Sequence, residues 1–281
     1  MPSDLIAFWR RCDLTQAPFA HPDDLPILER DSGRHVHQEK LDFSTFVSSQ
    51  WFGDFDDKRL HLSLLPAPYG GDLRNADIFV LLLNPGFGFT DYYAETCVPE
   101  FRHRLEKMLA QDLDGVEFPF IWLDPAYCWH GGFLWWERKL REVTRIIAKE
   151  KFEGRYLHAL RHLSRRLAHV ELIPYHSPSF NAHQLIDHLP SVQAVRRFAL
   201  DDLAGAARNG NKTIIITRQS KAWRLPADIP PSYVAIYEGG LTRGASLGPN
   251  TPGGQAILAR YGIQVPPTRR PGRGSGGGMT P

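Results

Sequence analysis

Three segments of this chain combine residue types that do chemistry with the turn residues that would hold them still. The first is Asn84-Pro85-Gly86-Phe87-Gly88, which ends the apolar run Asp77-Ile78-Phe79-Val80-Leu81-Leu82-Leu83. Pro fixes its own φ and has no N–H, Gly admits φ > 0, and Asn tolerates unusual backbone angles. The chain therefore bends sharply and holds the Asn84 amide at the tip of the run; the plain alternative is a turn that merely links strand to helix. The second segment is Tyr175-His176-Ser177-Pro178-Ser179-Phe180, where His176 offers a proton donor and acceptor. A histidine satisfied by a neighbouring carbonyl is its bland reading. The third, residues 239–250, reads Gly-Gly-Leu-Thr-Arg-Gly-Ala-Ser-Leu-Gly-Pro-Asn. Its small residues let backbone approach a phosphate closely and Arg243 adds charge, although a flexible surface loop would look the same. Arg218, Lys221 and Trp223 fall on a further loop where the cations could reach a phosphate backbone, while a single tryptophan is more often core.

These segments need elements to position them. The run 77–83 has the continuous apolar character of a central parallel strand covered on both faces. Further strands fit His169–Tyr175, Lys212–Thr217 and Tyr233–Tyr237, with a short one near His61–Leu65 before the turn at residues 66–72. Helices fit 100–111, 134–150, 155–168 and about 253–261, and Ser191 can cap a long helix to Arg208 that Gly210 closes. Strands separated by helices predict an α/β fold with an open parallel four-stranded central sheet, helices on both faces. Ligands bind such sheets at the carboxyl ends of the strands, where all three segments fall. Residues 1–60 read as an N-terminal extension packed on the core, 61–264 as the α/β domain with an insertion at about 112–150, and 265–281 as a disordered Pro-, Arg- and Gly-rich tail.

The formal net charge of +2 conceals an asymmetry. Residues 1–150 carry 16 Lys/Arg against 24 Asp/Glu, and residues 151–281 carry 17 against 7. Arginine supplies 25 of the 33 basic residues, which favours a polyanionic partner or, more plainly, a solvated basic surface. No apolar run approaches the roughly 20 residues of a membrane span and no signal peptide is evident. The scattered Cys12, Cys97 and Cys128 suit a reducing cytoplasm and buried, inert thiols. Without HExxH, paired CxxC, P-loop or GxSxG patterns, neither a metal nor another cofactor is expected.

The stretch Pro68-Tyr69-Gly70-Gly71-Asp72, followed by Ala76–Leu83 and Asn84-Pro85-Gly86, resembles the first motif of the uracil-DNA glycosylase superfamily. It is most similar to the mismatch-specific thymine/uracil branch, whose motif also reads Asn-Pro-Gly. The resemblance implies a three-layer α/β/α glycosylase fold and a role for Asn84 in placing the attacking water. Classical uracil enzymes carry Asp-Pro-Tyr there, and the tyrosine excludes a C5 methyl group. Gly86 has no side chain to form that wall, so a larger C5 substituent should fit unless Phe87, Tyr92 or Tyr93 fills the space. The superfamily reads the base with the loop after its second core strand, which points to Tyr175, His176 and Ser177, with His176 donating to a base carbonyl or the departing base. It closes on DNA after its fourth strand, where Arg243, Ser246, Leu247 and Asn250 fall and Leu247 could wedge into the base stack. That loop departs from the family's His-containing one. Leu123-Asp124-Pro125-Ala126-Tyr127 echoes Asp-Pro-Tyr but lies in the insertion, before the packing residues Trp135 and Trp136.

The expectation is a monofunctional DNA glycosylase acting on double-stranded DNA, with no obligate protein partner and no membrane association. Its target would be a deaminated or mismatched pyrimidine in repair, or a bulky base such as glucosylated hydroxymethylcytosine in defence against phage. No lysine occupies a motif position for a Schiff base. The alternatives are a catalytically inactive DNA-binding relative and an α/β hydrolase of small nucleotides.

Overall fold

The structure, a computed structural model, describes residues 2–37, 39–242, 244 and 246–264. The expected tail at 265–281 and Arg243 lie outside the described residues. The N-terminal region carries α1 (Pro2–Trp9), α2 (Leu25–Arg30) and α3 (Phe43–Ser48). Five strands follow: β1 (Tyr69–Gly70), β2 (Ile78–Leu82), β3 (Leu167–Glu171), β4 (Thr213–Ile216) and β5 (Val234–Ile236). Between β2 and β3 run α4 (Phe89–Cys97), α5 (Pro99–Ala110), α6 (Gly131–Lys151) and α7 (Tyr156–Arg166). Between β3 and β4 come α8 (Pro190–Arg197) and α9 (Ala204–Arg208), joined by a wider π turn at Phe198–Leu203. The short α10 (Ser220–Trp223) and then α11 (Pro252–Arg260) complete the order.

The sheet runs β1-β3-β2-β4-β5, with β2 to β5 parallel and β1 antiparallel to β3. The architecture is α/β with a mostly parallel sheet flanked by helices, one strand more than expected. β1 escapes sequence reading because two residues, one of them glycine, show no strand periodicity. The strand expected near His61–Leu65 does not form; that stretch is buried but joins only one bridge, His61 to His176. The long helix expected after Ser191 is split by the π turn and begins at Pro190, leaving the Ser191 hydroxyl buried rather than capping.

Strand alternation divides the interior. Phe79, Leu81 and Leu83 of the β2 region point into one core with Val170, Ile214, Ile216 and, from the N-terminal region, Leu5, Ile6 and Trp9. Ile78, Val80 and Leu82 point into the other, with Leu140, Leu163, Ile215 and Ile257 of or beside α6, α7 and α11. Apolar side chains on both faces of one strand are what makes its sequence read as a continuous run. Gly71 leaves β1 at φ +89°, and a Cβ there would lie 2.4 Å from the Leu167 carbonyl oxygen, so this turn requires glycine.

The amino end of the sheet is tied by one carboxylate. Asp77 accepts from Arg166 Nε at 3.0 Å and from Arg260 Nη2 at 2.7 Å, joining β2 to α7 and α11. Burial pushes Asp77 up, but the two guanidiniums outweigh it and hold the carboxyl below its ordinary value. A depressed pKa stabilises the fold above the ordinary carboxylate range and ceases to do so as acid protonates the group. Asp77→Asn should therefore cost about 2 kcal/mol at pH 7 by urea denaturation, with the gap from wild type closing below about pH 4. Equal midpoints at pH 7 would show that the bridge contributes nothing.

Candidate active site

Because β3 and β4 flank β2 on opposite sides, the chain reverses direction across the sheet at the carboxyl end of β2, where open α/β sheets bind ligands. Asn84 stands there. Its Nδ2 donates to Ser177 Oγ at 2.9 Å, to the Pro85 carbonyl at 3.0 Å and, more weakly, to the Tyr175 carbonyl at 3.4 Å. Carbonyls only accept, so the amide orientation follows from chemistry: nitrogen inward. No described residue hydrogen-bonds Asn84 Oδ1, and the side chain is partly exposed. The amide is thus locked by its nitrogen with its oxygen available as an acceptor.

Gly86 beside it is exposed, and a Cβ there would meet only the Ser177 carbonyl, at 4.0 Å. Phe87 is partly buried against His61, ring centroids 4.4 Å apart. Tyr93 is 44% exposed and packs edge-on against Phe43 and Trp129. Tyr92 and Tyr175 are fully buried. The Tyr92 ring stacks on Phe46, and the Tyr175 hydroxyl donates to Asp24 at 2.6 Å, inside the core and away from the loop tips. Of the sequence-predicted pocket residues, the structure brings Asn84, Gly86, Phe87 and Ser177 together and turns Tyr92 and Tyr175 inward.

His176 is also buried. Its Nδ1 lies 3.0 Å from the Gly86 carbonyl and its Nε2 3.1 Å from that of Leu65. Both contacts carry a proton only in the imidazolium, whereas burial pushes the ring pKa down to about 4. Either way both nitrogens face backbone. The residue ties the Leu65 segment to the Asn84 loop and so acts as a strut.

An open cleft of about 580 Å³ adjoins this loop, bounded by Leu83, Arg218, Lys221, Tyr237, Glu238 and Thr242 among others. Arg218 and Lys221 are exposed on it, after β4. Ser246 and Asn250 are exposed on the loop after β5, whereas Leu247 is 1% exposed and anchors that loop in the core, which is no place for a wedge. Trp223 is core. Asp124 caps its own turn by accepting from Ala126 N at 3.0 Å. Trp136 is buried, and Trp135 carries Lys139 over its ring. Cys12 is buried and its thiol pushed up to about 12, but Cys97 and Cys128 are exposed, contrary to the expectation of buried thiols.

Several polar groups had no sequence signal. Glu171, at the carboxyl end of β3, is 4% exposed with Oε2 unpartnered among the described residues; burial raises it well above the carboxylate range against the pull of Arg218. Glu95 accepts from Leu65 N at 2.8 Å, and burial pushes it up to about 8. Glu171 lies in a segment that reads as ordinary strand, and Glu95 in one to which the sequence assigns no element, although the structure makes it α4. His37, Asp57 and His61 converge, all buried, under the Phe87 ring, although they sit 20 and 4 residues apart in a stretch of irregular sequence.

Compared with known proteins, the chain matches no family model, no curated protein and no solved structure. No helix among the described residues is long and apolar enough to cross a membrane.

Glu95 supplies a pH test. A raised folded-state pKa stabilises below the unfolded value, near 4.5, and that contribution is lost as pH rises through about 8. Wild type should lose urea resistance between pH 5 and 8, and Glu95→Gln should flatten the decline. An unchanged slope in the variant would mean that Glu95 is not held neutral.

Proposed function

We propose that this chain is a monofunctional DNA N-glycosylase of the uracil-DNA glycosylase type, hydrolysing the glycosidic bond of a pyrimidine with a C5 substituent in double-stranded DNA. The observation that carries the reading is the Asn84 amide, clamped through its nitrogen with its oxygen left to accept from a water, beside a loop position with no side chain. Arg218 and Lys221 on the cleft after β4 and β5 support a polyanionic partner, with Glu238 at its edge. The resemblance of the Asn84-Pro85-Gly86 segment to the thymine/uracil branch agrees with this placement at the end of a doubly buried strand.

In this reading the target nucleotide is extruded from the duplex, at a cost of a few kcal/mol offset by phosphate and pocket contacts. Arg218 and Lys221 hold the backbone, and Ser246 and Asn250 sit where the second strand would pass. Phe87 and Tyr93 flank the base, and the gap at Gly86 accepts its C5 group. Asn84 Oδ1 orients a water whose oxygen bonds to C1′ as the C1′–N bond breaks; the base leaves with the electron pair, and the proton that the water gives up passes to solvent, from which the departed base is neutralised. His176 is a positioning residue, holding the Gly86 carbonyl and with it the loop. Tyr92 and Tyr175 support the wall from behind.

Duplexes carrying uracil, mismatched thymine or 5-substituted cytosines, followed by alkaline cleavage of abasic sites, test the activity. Asn84→Ala should lower single-turnover base release by at least about 100-fold with DNA affinity unchanged. Gly86→Tyr, which has room for its Cβ, should spare uracil release and suppress release of the 5-substituted base. Tight, salt-sensitive binding without base release would indicate a DNA-binding relative instead. Activity confined to free nucleotides would indicate a small-molecule hydrolase.

A further inference from the structure

We propose that His37, Asp57 and His61 form a binding site for a divalent cation of the zinc class, a role independent of the glycosylase reading. The three offer one donor atom each, all within 4.8 Å of one another. His61 Nε2 lies 3.2 Å from Asp57 Oδ2, and His37 Nε2 is directed at the same oxygen. The two imidazole rings are 3.9 Å apart between centroids, and the three side chains are at most 3% exposed.

The outer atoms of the cluster are already assigned. His37 Nδ1 faces Glu39 Oε2 at 3.3 Å, and a carboxylate oxygen only accepts, so that nitrogen carries the proton. In a neutral imidazole Nε2 then presents its lone pair to Asp57 Oδ2, an atom that is itself only an acceptor. His61 Nδ1 is held by the Tyr92 hydroxyl at 2.9 Å. The second oxygen of Asp57 accepts from Arg59 Nε at 2.9 Å and from Arg59 N at 3.1 Å. Protons alone would satisfy both inner nitrogens only by charging His37, a buried imidazolium beside the Arg59 guanidinium, even though His61 stays neutral when the Tyr92 hydroxyl donates to its Nδ1. One divalent ion satisfies all three donors. Two imidazoles and a carboxylate suit zinc, and outer partners that fix each ligand's orientation are the usual companions of a metal site.

The ion would clamp the segment from His37 to His61 beneath the Asn84 loop. His61 packs on Phe87, and its backbone N–H donates to the His176 carbonyl at 2.9 Å. Metal binding therefore stabilises the wall behind the candidate site.

Full-length protein stripped with EDTA and titrated with Zn²⁺ and Co²⁺ tests the proposal. The expected result is uptake of about one ion per chain, visible Co²⁺ bands of a four-coordinate site, and a thermal midpoint that rises with metal. His37→Gln should abolish the Co²⁺ bands. Glu39→Gln, at a half-exposed position that leaves the fold intact, should weaken binding about 10-fold. Stripped wild type that remains folded and takes up no ion would overturn the site. So would uptake of unchanged affinity in both variants, which would place the ion elsewhere.

Discussion

The central strand β2 is buried on both faces, and that constraint governs where polar chemistry can sit. None of its five residues can carry a functional group without burying an unpaired polar atom, so function is displaced to its ends. At the amino end Asp77 gathers two arginines and locks helices to the sheet. At the carboxyl end Asn84 is pinned by Ser177 and by carbonyls of the β2 and β3 loops. One end is spent on stability, and the other keeps a single oxygen available.

The polar groups around that end divide by side of the sheet. Towards β4 and β5 the surface is open and carries Arg218 and Lys221 beside Glu238, suited to a ligand that arrives from solvent. Towards the N-terminal region it is closed and aromatic, with Phe87 and Tyr92 packed against His61 and Phe46 packed against both rings. His176 joins the two by bonding Leu65 and Gly86. A rigid back and an open front are what pre-organisation of a reacting group requires.

The parallel strands and most helices were legible in the sequence because their apolar periodicity is strong: the run 78–82 admits little else. β1 was not, since Tyr69 and Gly70 pair through backbone alone. The location of Asn84 was legible from turn chemistry after an apolar run. The inward turn of Tyr175 was not, because strand-end orientation depends on the tertiary partner Asp24, 151 residues away. His176 reads as an acid–base residue by type, yet its two backbone partners come from segments distant in the chain. Leu247 looks like a wedge in a Gly-rich loop until packing shows it to be the anchor. The convergence of His37, Asp57 and His61 follows no short spacing, since irregular backbone brings them together.

In the proposed glycosylase reaction, water reaches C1′ under the direction of Asn84. Base release in H₂¹⁸O, with protein in excess over a duplex bearing a 5-substituted pyrimidine, probes that step most directly. The expected products are free base and an abasic sugar carrying one ¹⁸O at C1′. An intact duplex under the same conditions, or an abasic sugar without the label, would contradict the proposed reaction.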